Sequence, residues 1–189
     1  QSLKTLLGKS YNVYKGHTDA VRSVVFLPNT SSFFSAGSDG KILKWNLGAE
    51  KKEFATILSD RGLIDNLKVS PTGKWLVAAE NRKGLLVYDI EREGNLRELA
   101  GNDLSIRTMT FAPDGKTVFT AGQKNFIEKW DIASGKVTKF KDMESRISSL
   151  SVSPDGSILA ACLRNGGTYI ISLKEGDNSE NIIYNDTSN

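Results

Sequence analysis

The sequence predicts an all-β protein assembled from four equivalent antiparallel units, and three observations predict it. All four prolines of the 189-residue chain, Pro28, Pro71, Pro113 and Pro154, recur at intervals of 43, 42 and 41 residues. Seventeen positions after each stands Trp45, Tyr88, Trp130 or Ile171. Before each lies an apolar triplet at constant offsets: Val21, Val24, Phe26; Ile64, Leu67, Val69; Ile106, Met109, Phe111; and Ile147, Leu150, Val152. A period of about forty residues carrying the same marks is the signature of a repeat architecture, in which each unit buries its apolar face against a neighbour.

Within each unit the elements follow in order. Runs such as VRSVVF and ISSLSV, short and rich in β-branched and aromatic types, read as a first strand and are too short for a stable helix. The proline opens a turn, Asn29-Thr30, Thr72-Gly73, Asp114-Gly115 or Asp155-Gly156, where Pro pre-sets φ and Gly accepts the left-handed conformation. A hairpin results, because the next run, FFSAG, WLVAA, VFTAG or ILAAC, is again β-prone. It sets Ala36, Ala79, Ala121 and Cys162 at one position, where close packing admits only small side chains. A second turn, SDGK in unit one and GQKN in unit three, leads to a third strand, KILKWNL, GLLVYDI, FIEKWDI or GTYIISL. The fourth strand, in EFATIL, NLRELA, KVTKF and ENIIY, is more polar and suits an edge that meets solvent. Four antiparallel strands per unit make one blade of a β-propeller. The chain then divides into a leader at 1–15 and blades at 16–58, 59–101, 102–142 and 143–189.

At 39% apolar and 25% charged residues, the chain can bury a core and is not of the disordered class. No stretch approaches the roughly 18 consecutive apolar residues of a membrane helix, and QSLKTLLGKS lacks the long apolar segment of a secretory signal. Gln rather than Met at position 1 reads as the loss of a preceding part. The lone Cys162 cannot close an intrachain disulfide and falls in SILAAC, which predicts a small core thiol in a reducing compartment and a cytoplasmic, intracellular protein. A net charge of +3 permits an anionic partner without demanding one. Basic runs are pairs such as Lys51-Lys52 and Arg82-Lys83, whereas nucleic-acid binders carry a concentrated stripe.

Unit one, GHTDAVRSVVFLPNTSSFFSAGSDGKILKWNL, resembles a WD repeat, with Gly16-His17 at its front and Trp45-Asn46 where Trp-Asp is usual; unit three ends in Trp130-Asp131. The resemblance covers about residues 11–184. It implies a structural relay in unit one in which Trp45 donates to Ser35, Ser35 meets His17, and Asp39 holds His17. The other units depart from it: Asp60, Ala78, Arg82 and Tyr88 in unit two, Asn102, Thr120, Lys124 and Trp130 in unit three, Met143, Ala161, Asn165 and Ile171 in unit four. These blades are expected to rely on apolar packing.

His17, Asp39 and Ser35 also spell the residue types of a catalytic triad, but the relay implied by the resemblance turns them inward, away from any substrate. Cys162 and His17 belong to different blades, and one His with one Cys cannot make the usual His/Cys metal site. Gly115-Lys116-Thr117 and Gly8-Lys9-Ser10 end like a phosphate-binding loop, yet the required earlier glycine is replaced by Thr110 and Leu3. Asn29-Thr30-Ser31 and Asn185-Asp186-Thr187 match a glycosylation triplet of no weight in a reducing compartment. The expectation is a non-enzymatic protein with no cofactor and no metal.

What the resemblance implies is a scaffold that binds a protein or peptide on the propeller face formed by the start of the first strand and the turn between the second and third. Those positions are Ala20, Arg22 and Ser38; Leu63, Asp65 and Asn81; Ser105, Arg107 and Gln123; and Arg146, Ser148 and Arg164. Four arginines against one aspartate favour an acidic or phosphorylated segment through charge-assisted bidentate bonds, with solubility as the plainer reason for surface arginines. An enzyme with a pocket in the channel and a nucleic-acid binder using the arginines are the alternatives. Four blades are few for a WD-type ring. YNVYK at 11–15 resembles an outer strand with no blade of its own. A compact ring, two chains forming an eight-blade ring, or a fragment of a longer propeller are all open, and the uncovered apolar sides favour the last two.

Overall fold

The computed structural model describes residues 13–47, 54–101, 105–174 and 180–184, and every regular element among them is a strand. Blade one holds β1 (Val21–Phe26), β2 (Ser32–Gly37), β3 (Ile42–Asn46) and β4 (Phe54–Leu58). Blade two holds β5 (Ile64–Val69), β6 (Trp75–Glu80), β7 (Gly84–Asp89) and β8 (Leu96–Leu99). Blade three holds β9 (Thr108–Phe111), β10 (Thr117–Ala121), β11 (Phe126–Asp131) and β12 (Val137–Asp142). Blade four holds β13 (Ile147–Val152), β14 (Ile158–Leu163), β15 (Gly167–Ser172) and β16 (Glu180–Tyr184). Each group forms its own four-stranded antiparallel sheet with the strands side by side in chain order, the arrangement of a β-propeller blade. Residues 11 and 12 of the anticipated orphan strand lie outside the described residues, and Val13–Lys15 carry no strand pairing among them.

The first hairpin is closed at the prolines in two ways. In blades two to four Gly73, Gly115 and Gly156 take φ of 76°, 65° and 75°, whereas in blade one Asn29 takes φ 58° directly after Pro28, as a type II turn demands. A bulge opens β1, β5 and β13: Arg22, Asp65 and Ser148 stand as the extra residue between two paired neighbours, and Arg107, just before β9, holds the same position in the repeat. No motif marks this bulge in the sequence.

Three apolar layers, one between each successive pair of sheets, form the core. Alternation along the second strands divides their side chains: Phe34 and Ala36, Val77 and Ala79, Phe119 and Ala121 point at the following blade. First strands carry the other half of each layer, and Ile64, Leu67, Ile106, Met109, Ile147 and Leu150 are all buried against the preceding blade. Two hydroxyls cross the gaps, Ser23 Oγ accepting the Leu67 N–H at 3.0 Å and Thr108 Oγ1 accepting the Leu150 N–H at 3.2 Å. Arg97 on β8 donates to the carbonyl oxygens of Ile132 and Ala133 and lies over the Trp75 ring.

The two ends differ from the middle. Val21, Val24 and Phe26 are 56%, 61% and 58% exposed, although they hold the offsets that are buried or half-buried in every other blade. At the far end Cys162 is half-buried, not buried like Ala36, Ala79 and Ala121, because no sheet packs against its side of blade four. The expected core thiol is thus corrected to a boundary one. Among the described residues the sheets pack one to two, two to three and three to four, an open arc.

Candidate functional site

One rim of the arc is built by repetition. The N–H of Ser38, Asn81 and Arg164, each in a turn between second and third strands, donates to the carbonyl oxygen of Ala20, Leu63 and Arg146 at 2.9 Å. In blade three the Arg107 N–H donates to the Ala121 oxygen at 2.8 Å. These bonds fix the rim to the sheets, and the bulges turn residues 22, 65 and 148 out of the alternation. Leu63, Asp65, Ser38 and Ser105 are half-buried; Ala20, Arg22, Asn81, Arg107, Gln123, Arg146, Ser148 and Arg164 are exposed.

The rim does not gather its arginines into one group. Arg22 donates its Nε–H to Ser38 Oγ at 2.9 Å within blade one. Arg107, Arg146 and Arg164 line a single cleft of about 70 Å³ between blades three and four, with Gln123 and two residues not among the expected rim positions, Gly122 and Ile147. Ser148 donates its hydroxyl to the Cys162 carbonyl oxygen at 3.1 Å.

Inside blade one, Trp45 donates its indole N–H to Ser35 Oγ at 2.7 Å, and Ser35 Oγ lies 2.7 Å from His17 Nε2. His17 Nδ1 is 3.0 Å from both Asp39 carboxylate oxygens, which also accept the backbone N–H groups of Thr18 and Lys41. Burial alone would raise the Asp39 carboxyl, but the Thr18 amide, the His17 imidazole and the Lys41 amide overcome it and hold the group below its ordinary value. Ser35 is 4% exposed and its oxygen already accepts from Trp45. A nucleophile needs an accessible oxygen.

Blade two contains polar chemistry where apolar packing was expected. The Glu80 carboxylate, fully enclosed, accepts from Arg61 at 2.9 Å, from the Gly62 N–H at 2.8 Å and from Lys83 at 2.9 Å, and Arg61 also reaches Glu98 at 2.6 Å. Burial pushes the Glu80 carboxyl up, and Lys83, the Gly62 amide and Arg61 together bring it below its usual value. The readable signal was a carboxylate ending the apolar run WLVAAE in unit two. Blade three keeps an indole bond, Trp130 Nε1 to Thr120 Oγ1 at 2.8 Å, with Glu128 buried beneath it.

The sequence matches the family described as WD domain, G-beta repeat at residues 8–46, 94–131 and 135–172, more than half of the chain. This chain belongs to the WD-repeat family. Of its WD-repeat relatives, Protein groucho of Drosophila melanogaster is 25% identical over 158 residues, 83% of this chain and 22% of that protein. Small ribosomal subunit protein RACK1 of Schizosaccharomyces pombe is 28% identical over 126 residues, 62% of this chain and 39% of its own. The chain therefore spans well under two thirds of either relative. Residues 47–93, the end of blade one and most of blade two, fall outside the matched segments of the WD-repeat pattern, and blade two is the one in which Arg61 pairs with the enclosed Glu80.

A larger groove of about 430 Å³ borders β3 and β4, with Lys44 and Glu93 paired at 3.7 Å across it. Among the described residues no set of three His, Cys, Asp or Glu is grouped to hold a metal ion, and no helix is long and apolar enough to cross a membrane.

Proposed function

We propose that this WD-repeat chain is a non-enzymatic interaction scaffold that binds a protein or peptide partner on its rim, and that an acidic or phosphorylated segment is what the rim takes. The observation that carries the reading is the convergence of Arg107, Arg146 and Arg164 on one cleft, with Arg22 further along the same rim. Guanidinium groups donate bidentate, charge-assisted bonds to planar or tetrahedral anions, so a cluster of them selects for such groups. The buried environment of Ser35 supports a structural reading of the His17, Ser35, Asp39 and Trp45 network over a catalytic one. A single, half-buried Cys162 fits a reducing intracellular compartment. Immobilised wild-type chain should retain a partner that the combined Arg22→Ala, Arg107→Ala, Arg146→Ala, Arg164→Ala variant loses. Equal retention by both overturns the reading.

A second surface is favoured by the exposure of Val21, Val24 and Phe26. At the three interfaces formed, the same triplet is covered by the preceding antiparallel sheet, so the occupant argued for here is a further blade of the same kind. Tyr14 already packs edge-on against Phe33 and Trp45, at ring distances of 5.8 and 5.5 Å, in the register where Ile57, Leu99 and Phe140 arrive from fourth strands. Because blade four holds its own fourth strand, a second copy would leave that segment surplus; a unit of the same longer polypeptide uses it. Light scattering of the 189-residue chain should give a monomer at low concentration, and a stable dimer would overturn this choice.

A further inference from the structure

Arg22 and the other rim arginines are placed differently, and the difference narrows the ligand. The Arg22 fork is engaged with Ser38 in blade one, whereas Arg107, Arg146 and Arg164 face one small cleft. None of the three takes part in the ion pairs found among the described residues. All three line one cleft that has no carboxylate in its lining, so an anion entering it meets cationic side chains without displacing an ion pair. Their backbones are held by strand-end hydrogen bonds, those of Arg107 to Ala121 and of Arg164 to Arg146, so the cluster is built on the sheets.

We propose that the cleft is a binding site for a phosphomonoester carried by a peptide, with the three guanidinium groups donating to its free oxygens. The proposal rests on the peptide-binding reading of the rim and deepens it. A space of about 70 Å³ admits one small anionic group. A glutamate or aspartate brings one charge and two coplanar oxygens, which a single arginine fork can satisfy. A phosphomonoester brings about −1.5 to −2 charges at neutral pH and three tetrahedral oxygens, which suit donors arriving from three backbone positions. Nucleic acid fits less well, since it needs a continuous basic track, and Asp65 on blade two interrupts the rim between Arg22 and the cluster.

Fluorescence anisotropy tests this on the 189-residue chain, with labelled degenerate peptide pools of one length centred on phosphoserine, glutamate or serine, and with a labelled single-stranded oligonucleotide. The phosphoserine pool is expected to bind at least about tenfold more tightly than the glutamate pool, with inorganic phosphate competing. Arg146→Ala and Arg164→Ala should each weaken it by about tenfold or more, while Arg92→Ala, at an exposed arginine in the turn before β8, leaves it within about twofold. Arg146→Lys, which keeps the charge and loses the fork, should fall between. Circular dichroism confirms that each variant is folded. Equal binding of the phosphoserine and glutamate pools overturns the phosphate assignment and leaves the acidic-peptide reading standing. An Arg92→Ala loss as large as that of Arg146→Ala overturns the placement in the cleft. Binding of no pool, or displacement of the phosphoserine pool by the oligonucleotide, overturns both readings.

Discussion

Ser35 joins the two halves of the polar interior of blade one. It meets the Trp45 indole and the His17 ring, each at 2.7 Å, so Ser35→Ala strands two buried groups at once. The expected loss is about 1–3 kcal/mol in urea denaturation, the cost of leaving a buried donor or acceptor unpaired. Asp39 adds a pH dependence whose sign is set by its lowered folded value. Its stabilisation is complete above the ordinary carboxylate value of 3.8 and disappears as pH falls through the lower folded one. Asp39→Asn should therefore be less stable than wild type at pH 7, with the gap closing as the pH is taken below about 4. A gap of constant size down to pH 3 would contradict this. Glu80→Ala should be costlier, by about 3–5 kcal/mol, because Arg61 and Lys83 would keep their charges around an empty centre.

At the scale of the element, the turns divide by what lies beside them. Gly40 has φ 69°, and a Cβ there would come within 2.1 Å of the Arg61 carbonyl oxygen in the next blade. Gly94 has φ 93° in the turn before β8 with nothing within 4 Å. Gly94→Ala should cost only the left-handed penalty of about 1–2 kcal/mol, and Gly40→Ala distinctly more, as read by thermal unfolding. The first three strands of each blade were legible because proline, turn glycine and small residue recur at fixed intervals. Fourth strands were placed but not bounded: β12 extends through Asp142, beyond KVTKF, because polar edges carry weak period-two patterning. The bulges were invisible, since an extra residue in a strand has no sequence mark of its own. At the site, the twelve rim positions could be named from the repeat, but the division of Arg22 from the other three depends on the Ser38 bond and on the seam between blades three and four. The Glu80 network was missed because its carboxylate sits at the end of β6, two positions before Arg82, which holds the place of Asp39.

For the whole molecule, stability is a sum over blades and the seams between them. Among the described residues, blades two and three are covered on both sides and blades one and four on one side. Amide exchange should accordingly be slowest in β6, β7 and β10 and faster in β1, whose apolar side chains meet water. Protection of β1 equal to that of β6 would show that its open side is already occupied in solution. The bulge in the first strand carries a broader consequence. A residue standing outside the pleat contributes to neither apolar layer, so its identity can change without repacking either one. Arg22, Asp65 and Ser148 show three occupants of that slot, a cation, an anion and a neutral residue, all tolerated by the same backbone. The charge of the rim can thus be rewritten one letter at a time while the architecture beneath it stays as it is.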